Sequence, residues 1–122
     1  MQTTTSYPSI VGGILAQIRS QKGLRQEDLA QAMGVTQTTL SRIETGQSSV
    51  SVEHLRSAAH HLGVAPNQIL AHADHNETIL LNQGMTVTFT RDNPDLPPAA
   101  VFVAGAALAA LLTLAFVGSQ QS

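Results

Sequence analysis

The sequence predicts an all-α fold: five short helices forming one small domain, followed by a short linker and one C-terminal transmembrane helix. Three observations carry this expectation. Apolar residues recur at helical spacing in five runs between positions 9 and 73. The runs are bounded by glycines, a proline and capping hydroxyls. Finally, residues 99–118 carry no charge, and Thr113 is their only polar side chain.

Size and composition set the frame. At 122 residues the chain has room for one small domain plus accessory segments. Aromatics at 3% and charged residues at 11% are both low for a soluble domain. There is no cysteine, which excludes disulfides and thiolate metal sites. The net charge of -2 does not advertise nucleic-acid binding. Between Ser9 and Asp74 five basic residues (Arg19, Lys22, Arg25, Arg42, Arg56) face five acidic ones (Glu27, Asp28, Glu44, Glu53, Asp74). A phosphate-binding surface would therefore have to come from local placement of charge.

Residues 1–8 are polar, contain Pro8 and lack the basic start and apolar run of a signal peptide. They read as a disordered lead that nothing exports, ahead of a domain over 9–73. In the first helix Ile10, Ile14, Leu15 and Ile18 share a face, and Lys22-Gly23 stops it. A short second helix follows, with Glu27 and Asp28 in a first turn where the dipole favours acids, and Leu29, Ala30 and Met33 as its apolar face. Gly34 breaks it. Thr36 is placed as N-cap of a third helix with Leu40 and Ile43 inward, closing at Thr45-Gly46. Ser51 caps a fourth, which puts Val52, Leu55, Ala58, Ala59 and Leu62 on one side and ends at Gly63. Pro66 opens a short fifth helix carrying Ile69 and Leu70.

Two helices joined by a three- or four-residue turn containing glycine, as around Gly34, form a helix-turn-helix unit. Such a unit presents the start of its second helix outward, where it can enter the DNA major groove. Here that start offers Gln37, Thr38, Thr39, Ser41 and Arg42. Glutamine can bond adenine through both edge atoms, arginine can do the same to guanine, and threonine offers a hydroxyl or a methyl. The plain alternative is a solvated polar helix face, and spacing alone does not choose between them.

The stretch LRQEDLAQAMGVTQTTLSRIETG, residues 24–46, resembles the Cro and phage-repressor (Xre) family at nearly every structural position. The shared features are the Leu-Ala pair, the turn glycine, the Thr-Gln opening of the recognition helix and the Ile-Glu-x-Gly ending. VEHLRSAAHHLGVAPNQIL, residues 52–70, is similar to the family's fourth and fifth helices. The resemblance covers about 65 of the 122 residues and implies a five-helix repressor-like domain that binds double-stranded DNA; a homodimer is expected as well, from the small-residue spacings of the C-terminal segment. The resemblance implies that Thr36, Gln37, Thr38, Thr39, Ser41 and Arg42 make up the DNA-reading helix, with Gln37 and Thr38 facing base edges. It also implies that Gln26 holds a phosphate and braces Gln37, and that Arg19 and Glu44 form an ion pair between the first and third helices. Arg25 departs from the pattern, standing where the family usually has a Ser or Thr cap; it either reaches a phosphate or is simply solvated.

Residues 74–98 lose the helical pattern and are expected as a linker. Within it, the runs Glu77–Asn82 and Met85–Thr90 around Gln83-Gly84 read either as a small hairpin or as a partly ordered connection. His72 and His75 lie three apart beside Asp74, but with no third ligand they imply no metal site. His54, His60 and His61 read as exposed helix residues.

The twenty residues 99–118 would span about 30 Å as a helix, one bilayer core. Their nine Val, Leu and Phe residues favour insertion by roughly 3 to 5 kcal/mol. A segment apolar on every face is expected in lipid; the alternative is a helix packing against its own copies. Gly105-x-x-x-Ala109 and Ala106-x-x-x-Ala110 would allow close helix approach. Only the tail 119–122 follows. The expected location is the cytoplasmic membrane, single-pass, with the N-terminal head in the cytoplasm. No nucleophile-base set, phosphate loop or paired-carboxylate motif appears, so neither an enzyme nor a cofactor is expected. The functional expectation is a membrane-tethered, sequence-specific transcriptional regulator; the alternative is a membrane-anchored scaffold whose head binds a protein.

Overall fold

The computed structural model describes residues 3–90, 101–103, 108 and 112. The elements run β1 (Thr3–Ser6), α1 (Tyr7–Gln21), α2 (Gln26–Met33), α3 (Gln37–Glu44), α4 (Val52–Leu62), α5 (Pro66–Asn82), β2 (Thr86–Thr88) and β3 (Val101–Phe102). The five helices surround one apolar core in which Ile10, Leu15, Leu29, Leu40, Leu62 and Ile69 are almost fully buried.

Local chemistry sets the helix ends. The Ser6, Thr36 and Ser51 hydroxyls each accept a backbone N–H from three residues on, at 3.0–3.2 Å, satisfying donors that a helix start leaves orphaned. Gly34 and Gly63 close α2 and α4 at φ 73° and 74°, the left-handed region that glycine enters without a Cβ clash.

Two glycines fix how α1 seats on α3. A Cβ on Gly12 would lie 1.9 Å from the carbonyl oxygen of Ile43, and a Cβ on Gly46 2.0 Å from Ser9 Oγ. The backbones touch there, and no larger side chain fits.

The ends of the domain differ from expectation. In place of a disordered lead over 1–8, Thr3–Ser6 form the central strand of a three-stranded parallel sheet of order β2-β1-β3, and Tyr7 and Pro8 open α1. The registers are Thr4↔Thr86, Thr5↔Val87 and Ser6↔Thr88 on one side, and Thr3↔Val101 and Thr4↔Phe102 on the other. Thr4, Thr5 and Ser6 are buried. Thr4 Oγ1 donates to Thr86 O at 3.1 Å and Thr88 Oγ1 to Thr5 O at 3.3 Å, so these polar side chains enter the interior with partners.

The fifth helix is also longer than expected. It continues through the expected linker to Asn82, burying Ile69, Ala73, Asn76 and Leu80. A hairpin over 77–90 does not form. The first of its two runs is helix, and the strand in the second pairs in parallel with β1. Parallel neighbours need a long crossover, and here the crossover is the whole five-helix bundle. Tyr7 ties the same two ends together: its hydroxyl donates to Asp74 at 2.6 Å. Burial, followed by that bond, pushes its pKa up to about 12.

The expected transmembrane helix over 99–118 falls largely outside the described residues, as do 91–98 and the tail 119–122. Its described part contradicts a helix starting at Ala99. Val101–Phe102 form β3, and Val103 N–H donates to Thr4 O at 2.7 Å. Leu108 is buried in the core and Leu112 packs against it. No described helix is long and apolar enough to cross a membrane. The β-branched residues at 101 and 103 suit a strand, and an apolar run looks the same whether lipid or a protein core receives it.

The close approach at Gly12 gives a paired prediction. Gly12→Ala should destabilise the domain by about 1–3 kcal/mol through overpacking. Gly13→Ala, with nothing within 4 Å of its added Cβ, should instead stabilise it by roughly 0.5–1 kcal/mol. Urea unfolding of the two variants checks both signs.

Candidate nucleic-acid interface

The site is built around Glu44, the last residue of α3, which is 5% exposed. Arg19 from α1 meets it with two nitrogens, Nε to Oε2 at 2.8 Å and Nη2 to Oε1 at 3.1 Å. The remaining guanidinium nitrogen, Nη1, donates to the Leu24 carbonyl at 2.9 Å, so the same side chain anchors the loop before α2. Gln26, the first residue of α2, donates Nε2 to Glu44 Oε1 at 2.9 Å. Its own Oε1 then accepts from Gln37 Nε2 at 3.4 Å. A continuous chain of hydrogen bonds thus runs from α1 through the buried carboxylate to the first residue of α3.

The rest of α3 divides between the capping bonds and the outer face. Thr36 caps the helix: its hydroxyl accepts from Thr39 N and donates to Thr39 Oγ1 at 2.9 Å. The hydroxyls of Thr36 and Thr39 are therefore already engaged with each other. Gln37, Thr38 and Arg42 are exposed and Ser41 is half-buried. Ser48 N–H donates to Arg42 O, folding the following loop back on the helix.

Arg25 is tied down locally. Asp28 Oδ2 accepts from the Arg25 backbone N–H at 3.1 Å, the reverse half of a capping box, while the Arg25 side chain makes no cap bond of its own. The Arg25 guanidinium lies 3.0 Å from Glu27 and 3.3 Å from Asp28. Hydrogen bonds from Arg25 hold the Asp28 carboxyl below its usual range, and that side-chain bond raises Arg25. Both groups lie at the surface, and such pairs contribute little.

Sequence reasoning missed Gly12 and Ser9, which seat α3 by close contact, and read Gly46 only as a helix stop and a family motif position. The only signal was an adjacent glycine pair, Gly12-Gly13, in the middle of a helix, where glycine is unfavourable.

A helix-turn-helix family model matches residues 15–69, which hold this geometry. The chain carries a helix-turn-helix domain of the Xre type. Among solved structures, this Xre-type domain is similar to the clp gene regulator ClgR from Corynebacterium glutamicum. That match has 31% identity and a TM-score of 0.61, covering 63% of this chain and 82% of that one. It is also similar to a mutant of the restriction-modification controller protein C.Esp1396I, with 25% identity and a TM-score of 0.55, covering 59% of this chain and 94% of that one. No curated protein matches the chain.

In this Xre-type domain, Arg19→Ala leaves Glu44 buried without its cation and should cost about 3–5 kcal/mol. Replacing both partners by apolar residues, Arg19→Leu with Glu44→Met, should recover much of that loss. Chemical denaturation of the single and double variants measures the difference.

Proposed function

We propose that this chain is a sequence-specific transcriptional regulator that reads double-stranded DNA as a homodimer and catalyses no reaction. The single observation that supports this most is the outer face of α3: Gln37, Thr38 and Arg42 stand exposed, with Gln37 held from behind by Gln26. An amide carries two N–H donors and one acceptor oxygen. With one N–H spent on Gln26, Gln37 keeps an N–H and its oxygen, the pair that matches the N7 and N6 edge of adenine. Arg42 lies further along the same surface, within reach of a guanine or a phosphate. ClgR is described as a gene regulator and C.Esp1396I as a restriction-modification controller; we extend regulation of that kind to this chain.

The roles follow. Gln37 and Thr38 face base edges, Arg42 faces a base or phosphate, and Gln26 positions Gln37. Thr36, Thr39 and Ser41 shape the start and the edge of the helix. Arg25 reaches a phosphate only by giving up its weak pairs with Glu27 and Asp28. The single-pass membrane location is not carried into this proposal, because Val101–Phe102 pair with β1 and Leu108 packs in the core. DNA in the cytoplasm is the proposed target.

Gln37→Ala and Arg42→Ala should each weaken binding to a selected operator by about 1–3 kcal/mol while leaving unfolding unchanged. Arg42→Ala should also make the dependence of affinity on salt shallower if it contacts a phosphate. Titration of labelled operator DNA at several salt concentrations reads both. If both variants keep wild-type affinity, the DNA-reading assignment is lost; a head that binds a protein instead gives no salt-dependent shift at all.

A further inference from the structure

The outer face of α4 carries a groove of about 520 Å³. Glu53, Arg56, Ser57 and His60 line it along the helix, and Val64 and Pro66 line it from the turn into α5. None of these residues belongs to α2, α3 or the chain of bonds around Glu44. The volume is that of a small-molecule site, where apolar walls surround a few convergent polar groups.

Opposite charges stand in this groove without neutralising each other. Glu53 and Arg56 are three residues apart on one helix, a spacing at which such side chains commonly pair. Here they form no ion pair, and among the described residues neither meets another charged partner. Both are exposed. His60 lies one turn beyond Arg56, its ring set edge-on to that of His61 with centroids 5.2 Å apart. The groove thus offers a carboxylate at its start and N–H donors one and two turns on. Val64 and Pro66, both half-buried, supply an apolar wall beside them.

The spacing selects the ligand. At 1.5 Å per residue, Arg56 and His60 lie roughly 5 and 10 Å beyond Glu53 along the helix axis. An α-amino acid carries both its charges on one carbon and is too short to reach across. An extended chain spans at most about 3.5 Å per residue, so two or three residues with free ends match the interval. A simple anion would meet Glu53 as a like charge, and a simple cation would meet Arg56. We propose that this groove binds a short apolar peptide with free ends. Its ammonium sits on Glu53, its carboxylate on Arg56 and His60, and its side chains on Val64 and Pro66. Ser57, between the two charged ends, offers its hydroxyl to the peptide group.

The regulatory meaning of this site rests on the DNA reading proposed above. Helix α4 packs against α2, and Gln26 of α2 orients Gln37. An occupant of the groove therefore stands one helix away from the reading residue.

Calorimetric titration of the full chain with leucyl-leucine and leucyl-leucyl-leucine, without DNA, tests the site. At least one of the two should bind saturably, one peptide per chain. Acetylating its amino end, or converting its carboxylate to an amide, should each weaken binding at least fivefold. Glu53→Gln should abolish the preference against the acetylated form, and Arg56→Gln the preference against the amide. Both positions are exposed, so circular dichroism of the variants should match that of the wild type. Absence of saturable binding by both peptides would overturn the proposal. So would blocked peptides that bind as tightly as free ones, or variants that discriminate as the wild type does. Because no DNA enters the titration, a failure of operator binding leaves the site standing, and a failure here leaves the recognition helix standing.

Discussion

A carboxylate withdrawn from water has to find hydrogen-bond donors inside the protein, and Glu44 finds them in two other helices. Arg19 supplies two from α1 and Gln26 supplies one from α2. Because Glu44 itself ends α3, this one side chain ties together the three helices whose relative positions define the helix-turn-helix. Among the described residues no buried side-chain nitrogen or oxygen lacks a partner. Loss of Arg19 or of Glu44 would leave the other largely buried without its charged partner, and that cost holds the geometry in place.

The functional consequence lies in how an amide is oriented. With its NH₂ group facing Glu44, Gln26 must turn its oxygen toward Gln37. That fixes which part of Gln37 faces inward and leaves its oxygen and second N–H for a ligand. The scaffold and the reading residue are thus linked by two bonds. The close contacts at Gly12 and Gly46 add a steric limit, since α3 cannot slide along α1 without a collision between backbones. A domain with near-balanced charge depends on such pre-positioning, because it has little bulk attraction to bring to phosphate.

The helical part of this architecture was legible because its signals are local. Caps at Thr36 and Ser51, stops at Gly34 and Gly63, and apolar spacing along α1 to α4 each act within a few residues. The ion pair and the Gln26 brace were legible only through family resemblance, since Arg19 and Glu44 are 25 residues apart. The sheet was not legible. Thr3–Ser6 are polar, and their burial depends on carbonyls supplied by strands far along the chain. Glu77–Asn82 read either as a hairpin strand or as a linker, because six residues rich in Ile, Leu and Thr fit either period. The bundle decides, through Asn76 and Leu80 on the inner face of α5. The run from Ala99 read as lipid-facing because hydropathy does not record which apolar phase receives a side chain, and Leu108 is received by the domain's own core.

The account stands most directly on whether the brace and the reading residue act as one unit. A double-mutant cycle in operator affinity measures this, using Gln26→Ala, Gln37→Ala and the pair together. The account predicts that Gln26→Ala weakens binding in the wild-type background and costs much less once Gln37 is alanine, with a coupling of at least about 0.5 kcal/mol. Strictly additive losses would show that Gln26 acts on DNA independently, and that the chain of bonds from Glu44 does not aim the recognition helix.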